Sequence, residues 1–271
     1  MEGFVNLLDS WITATAWRIE TPKAYGWFHI SFVVIGVLIS FYAARKLRSI
    51  GDKGNRILLL SVGIFLMIAE VYKQLLYFLV IEDRSGYSWG DFPFHLCSVP
   101  MYLCVIAPLL KPGKLQKSLY SFMMLYNLLG GGIAFTEPSG LLHSYLMLTA
   151  HAMVWHMLLV FIGLYLVFSG RGGFEIKDYR ASTKTFLILC AVAFGINLLF
   201  WDISGGAINN FFVGPRNSSI IVFKQISEAF GWYVSTAIYI PAVCLGAYLV
   251  FLLVRVYHKQ PIKTVLPIKK R

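Results

Sequence analysis

The sequence predicts an all-α protein, a polytopic membrane helix bundle of about seven transmembrane helices. Composition, the spacing of the apolar runs and the charge of the loops between them predict it. Of 271 residues, 58% are hydrophobic and 14% charged, with a mean hydropathy of +0.67, whereas about a quarter of a soluble domain is charged. Apolar runs fall at 27–44, 57–80, 94–110, 118–135, 142–168, 185–204 and 230–254. Each approaches the roughly 20 residues that cross about 30 Å of hydrocarbon as helix.

Loop charge alternates along the chain. Basic loops carry Arg45, Lys46, Arg48, Lys53 and Arg56, then Lys111, Lys114 and Lys117, then Arg171, Lys177, Arg180 and Lys184. The carboxyl-terminal tail adds Arg255, Lys259, Lys263, Lys269, Lys270 and Arg271. The intervening segments hold Glu2, Asp9 and Glu20, then Glu82, Asp83 and Asp91, then Glu137, and finally Arg216 balanced against Asp202 and Glu228. Short Lys- and Arg-rich loops stay in the cytoplasm, which predicts an outside amino terminus and a cytoplasmic carboxyl terminus in the cell membrane. The net charge of +11 reads as this topology signal and as contact with anionic lipid headgroups; no nucleic-acid partner is expected.

Three segments follow: an extracytoplasmic interfacial stretch at 1–26, a seven-helix domain at 27–254 and a basic tail at 255–271. In the first, Phe4, Leu7, Leu8, Trp11, Ile12 and Thr15 fall at helical spacing, so a short amphipathic helix is expected on the outer surface. Trp17, Tyr25 and Trp27 are expected at headgroup level. The acidic, polar start lacks the basic-then-apolar pattern of a cleavable signal peptide.

Polar residues at membrane depth are expensive and point to function. Glu70 reaches Lys73 and Gln74 at i+3 and i+4 on one face of the second span, either as an ion pair locking the bundle or as the lining of a polar cavity. The third span opens with Phe94-His95-Leu96-Cys97-Ser98-Val99-Pro100. The fourth carries Tyr126-Asn127 and then Gly130-Gly131-Gly132, whose missing side chains allow close helix approach; Thr136-Glu137-Pro138 closes it. The fifth holds His143, His151 and His156.

These histidines lack the i,i+4 spacing of a helical zinc motif. Glu70, Asp91, Glu137 and Asp202 are the carboxylates that would have to complete a site, and neither a metal nor a cofactor is expected. Cys97, Cys104, Cys190 and Cys244 lie at depths that do not pair, and a buried free cysteine is ordinarily a small apolar residue. Cys97 stands apart because a histidine can turn a thiol into a nucleophile. His95 does not face it if both lie on one helix, since i,i+2 residues diverge. His151 is the better-placed base.

Phe94-His95-Leu96-Cys97, Gly130 to Pro138 and Thr149-Ala150-His151 resemble the consecutive signatures of the bacterial YwaF-like integral membrane proteins, grouped with the animal transmembrane protein 164 family. The resemblance covers about residues 25 to 255. It departs at His95, at Thr149-Ala150 in place of an aromatic pair, and at Glu137 before the proline. It implies a membrane-embedded acyltransferase or acyl hydrolase acting on phospholipid acyl chains, with Cys97 as nucleophile and His151 as base. An oxyanion donor is then required, with Asn127, Tyr126 and Ser98 as candidates, and membrane lipids become acyl donor and acceptor. Two further classes stand beside this one. Glu70, Lys73, Asn127, His151, Asn197 and Asp202 lining an outward cavity would make a transporter- or receptor-like protein for a small polar solute. Polar residues that only pack helices would make a structural membrane subunit.

Overall fold

The computed structural model describes residues 2–260, without the side chains of Glu2, Phe4 and Val5. Phe4 of the predicted amphipathic face, and Lys263, Lys269, Lys270 and Arg271 of the predicted tail, lie outside what it describes. The described residues form α1 (Glu2–Ala14), α2 (Trp27–Leu47), α3 (Asp52–Leu76), α4 (Val99–Ile106), α5 (Lys114–Thr136), α6 (Leu146–Ser169), α7 (Ile176–Leu199), α8 (Ile221–Phe230) and α9 (Trp232–Tyr257). A π-helical turn, Tyr77–Ile81, prolongs α3, and a 3-10 turn, Ala107–Leu109, prolongs α4.

Among the described residues, six helices are long and apolar enough to cross a membrane: α2, α3 with its π turn, α5, α6, α7 and α9. The third predicted span is corrected. Only Val99–Leu109 is helical there, and Phe92 to Ser98 run irregularly. The prolines explain it. Pro93 keeps Phe92 extended (ψ 129°), and Pro100 sits in the first turn of α4, where its missing N–H costs least. Pro108 falls in the 3-10 turn and Pro112 follows it, so 17 apolar letters yield three turns of helix.

Other boundaries shift as well. The sixth span begins at Ile176, nine residues early, because Lys177, Arg180 and Lys184 ride on the helix. Glu175 and Asp178 form a reciprocal capping box that starts it there. The fifth begins at Leu146, which leaves His143 in the preceding loop. The short α8 was not foreseen.

The two ends of the bundle are tied separately. At the basic end, Arg171 of the α6–α7 loop donates to Asp52 at the start of α3 (2.7 Å), and Lys117 pairs with Asp178 across α5 and α7 (2.9 Å). Arg255 reaches the Phe174 carbonyl, and Ser121 donates to that of Gly172. At the acidic end, Arg84 pairs with Asp9, Thr15 bonds Tyr72, and Tyr25 donates to the Thr136 carbonyl. There α1 docks Ile12, fully buried, against Leu76, Tyr145 and Leu148, while Trp17 and Trp27 stay exposed.

The core lies around α5, with Phe122, Met123 and Leu125 fully buried. Of the glycine triplet only Gly131 makes a close approach: a Cβ there would lie 3.0 Å from the His156 carbonyl, whereas Gly130 and Gly132 face open space. Helix α2 packs chiefly on α6 and leaves most of its surface free. Asp178 both caps α7 and pairs with Lys117 while itself buried. Asp178→Ala is therefore expected to lower stability by about 1–3 kcal/mol; thermal unfolding in detergent unchanged from wild type would refute this.

Candidate functional site

A polar cluster occupies the acidic half of the bundle, around the irregular segment that precedes α4. Backbone groups at membrane depth must be satisfied by protein, and side chains from three helices do this. Gln74 of α3 donates to the Asp91 carbonyl (2.7 Å), Tyr102 of α4 to that of Pro93 (2.9 Å), and Trp155 of α6 to that of Cys97 (2.8 Å). His95 Nε2 lies 3.0 Å from the Gly90 carbonyl; a carbonyl only accepts, so that nitrogen carries the hydrogen.

Glu70 is buried and forms both contacts expected of it. Its Oε1 takes Lys73 Nζ at 2.9 Å and Gln74 Nε2 at 2.7 Å. The Lys73 ammonium acts electrostatically on His95, Cys97, His143, His151 and His156, with Glu70 and Asp91 opposing it at several of them.

Cys97 lies not on a helix but two residues before α4, at the positive end of its dipole. Helix geometry therefore does not hold it apart from His95, yet His95 turns elsewhere, toward Gly90 and the Phe212 ring (centroids 6.1 Å apart). Ser98 is buried with its hydroxyl in reach of the Cys97 thiol. His151 is linked to Cys97 through Trp155, whose ring stacks on the imidazole (5.1 Å, 30°) while its Nε1 holds the Cys97 carbonyl. Among the described residues no hydrogen bond joins the thiol to the imidazole, and His151 Nε2 is buried without a partner.

Asn127 is buried with an unpartnered Nδ2. It stands one turn from Met123, whose sulfur receives the Cys104 thiol, so it shares the α5 face turned to α4. Tyr126 does not join the cluster. Its ring stacks between Phe122 and Phe186 (4.9 and 4.8 Å), and its hydroxyl points to Thr183 of α7. Asn197 is likewise removed from any cavity: its side chain bonds the Asn210 and Val213 carbonyls and takes the Asn210 amide. All four cysteines are free. Among the described residues no three His, Cys, Asp or Glu side chains are placed to share a metal ion.

The Asn197 bonds hold a loop over the cluster. Phe211 and Phe212 both adopt left-handed backbone (φ 56° and 55°), a strained choice for bulky residues. Phe211 is buried against Phe94, and Phe212 lies between His95 and Tyr239. Tyr239 of α9 thus joins the cluster through the Phe212 ring. Asn197→Ala is expected to release this loop at a cost of about 2–4 kcal/mol, several buried hydrogen bonds. Hydrogen exchange of residues 204–220 would read it, and unchanged protection would refute it.

Sequence reasoning missed Trp155, Tyr239 and Phe212. Trp155 alone left a local signal, one turn beyond His151 on the same helix face.

Long apolar helices exposing aliphatic faces to the surroundings, with polar residues gathered inside one half, define a multi-pass helical membrane protein with an intramembrane polar site. A family model described as the TMEM164 family matches residues 22–267. The chain belongs to that family. Comparison with curated proteins and with solved structures gave no match in either case.

Proposed function

We propose that this protein is an acyltransferase or acyl hydrolase of the cell membrane that cleaves phospholipid esters through Cys97. The observation that supports this reading is Trp155, which binds the Cys97 carbonyl and stacks on His151, whose Nε2 is buried without a partner, so that the cysteine before α4 and an α6 imidazole share one neighbour. The α4 dipole supplies positive potential for a thiolate, and Lys73 adds to it, offset in part by its Glu70 partner.

In this mechanism His151 Nε2 takes the Cys97 proton as sulfur adds to the ester carbonyl. The developing oxyanion accepts from Asn127 Nδ2 or the Ser98 hydroxyl. The carbon–oxygen bond breaks, and the proton on His151 passes to the departing glycerol oxygen. A lysolipid leaves and the acyl chain remains as a thioester. A second lipid hydroxyl, or water, then reverses the sequence and regenerates the thiol. With the Lys- and Arg-rich end in the cytoplasm, the chemistry falls in the outer leaflet, near ester depth.

Intact-protein mass spectrometry after incubation with mixed phospholipids tests this. A hydroxylamine-sensitive acyl mass on wild type, absent from Cys97→Ala and diminished in His151→Ala, is the expected result. Unmodified protein with unchanged lipids would sink it and favour a solute-binding role for Glu70 and Lys73.

A further inference from the structure

The two parallel helices α2 and α6 enclose a groove of about 490 Å³ lined by Phe32, Gly36, Ile39, Val154, Leu158 and Phe161, among others. Gly36 keeps it open, since a Cβ there would meet the Met157 methyl at 2.5 Å and push that flexible end aside. Each wall leads to a histidine within a turn, though neither histidine lines the groove itself. On α2 the lining stripe Phe32, Gly36, Ser40 continues one turn toward the acidic end to His29, and on α6 the stripe Leu158, Val154 continues to His151.

His29 is 1% exposed, and neither of its ring nitrogens has a partner. Its ring packs near Tyr25 and Phe135. A neutral imidazole offers one donor and one acceptor, and burying both unsatisfied is costly. An apolar groove with unpartnered imidazole nitrogens one turn beyond its acidic end has the polarity of an acyl lipid. Leu158 lines the groove and also packs against the hydrophobic cluster on which Cys97 lies, so groove and cysteine border the same cluster.

We infer that the α2–α6 groove binds the acyl chain of a membrane lipid, with His29 donating a hydrogen bond to the carboxyl or ester carbonyl at its end. The acyl transfer proposed above gives this chain its destination at Cys97; occupancy of the groove is measurable apart from turnover.

The test uses full-length Cys97→Ala protein, which cannot turn over, in phosphatidylcholine nanodiscs carrying a phosphatidylcholine with a diazirine midway along one chain. After photolysis, mass spectrometry maps the labelled peptides. Labelling of Phe32–Ala43 and Val154–Phe161 is expected to exceed that of the lipid-facing sides of α7 and α9. Ile39→Trp, which fills the groove from its exposed side without entering the core, should abolish that excess. His29→Phe should lower it about fivefold, the effect of one lost hydrogen bond, and His29→Gln should retain most of it. Even labelling across all helices, or an excess indifferent to both Ile39→Trp and His29→Phe, would overturn the proposal. So would native mass spectra of two chains closed over α2 with no retained lipid. Groove labelling together with a wild type that never acylates would leave the groove standing and remove the catalytic reading alone.

Discussion

Phospholipid incubated with the Cys97→Ala protein is expected to return with its acyl chains in place, turnover falling at least about 10⁴-fold, as when the nucleophile of a concerted set is removed. The size of the loss follows from geometry. No other cysteine has Cys97's surroundings: Cys104 points at Met123 in the core, and Cys190 and Cys244 lie on α7 and α9 away from Lys73. None can substitute. His151→Ala should cost less, about 10²–10⁴-fold, because the thiol survives without its proton acceptor. Liquid chromatography of the lipids reads both losses. Equal turnover in wild type and Cys97→Ala would remove the thioester mechanism, and a Cys104→Ala loss as large as that at Cys97 would place the nucleophile elsewhere.

Lys73→Met is expected to destabilise the protein by about 3–5 kcal/mol, because it leaves Glu70 as a buried carboxylate without its ammonium. The Lys73 and Glu70 side chains are 15% and 6% exposed, too little for water to compensate. Glu70 would retain only the Gln74 amide. Adding Glu70→Gln should restore most of the loss, since a neutral amide costs far less to bury than an unpaired charge. The double-mutant cycle, read by thermal unfolding in detergent, separates this from a simple packing defect. Single and double variants melting alike would show that the pair contributes nothing.

How far the sequence foretold this structure varies by element. Spans α2, α3, α5, α6 and α9 were legible because unbroken apolar runs of the right length admit little else in a bilayer. The third was misread because hydropathy weighs prolines by polarity alone and is blind to their missing N–H. The same blindness hid the irregular segment on which Cys97 sits. Within the cluster, Glu70, Lys73 and Gln74 could be read from one helix, since their contacts are i,i+3 and i,i+4. Tyr126 was misassigned because its depth was right while its direction, toward Phe186, depends on where α7 packs. Tyr239 and Phe212 reach the cluster from distant chain positions, and no local periodicity encodes that meeting.

The chief attachment of α2 to α6 has a consequence for assembly. The first long helix made must wait in the lipid for its partner, about 100 residues and roughly 5–20 s of synthesis later at ordinary rates. Helices α3, α4 and α5 close on one another meanwhile, and α2 remains an unclaimed strip of apolar surface beside them. A nascent chain arrested before Leu146 should thus offer α2 to any passing membrane chaperone. One arrested beyond Ser169 should not.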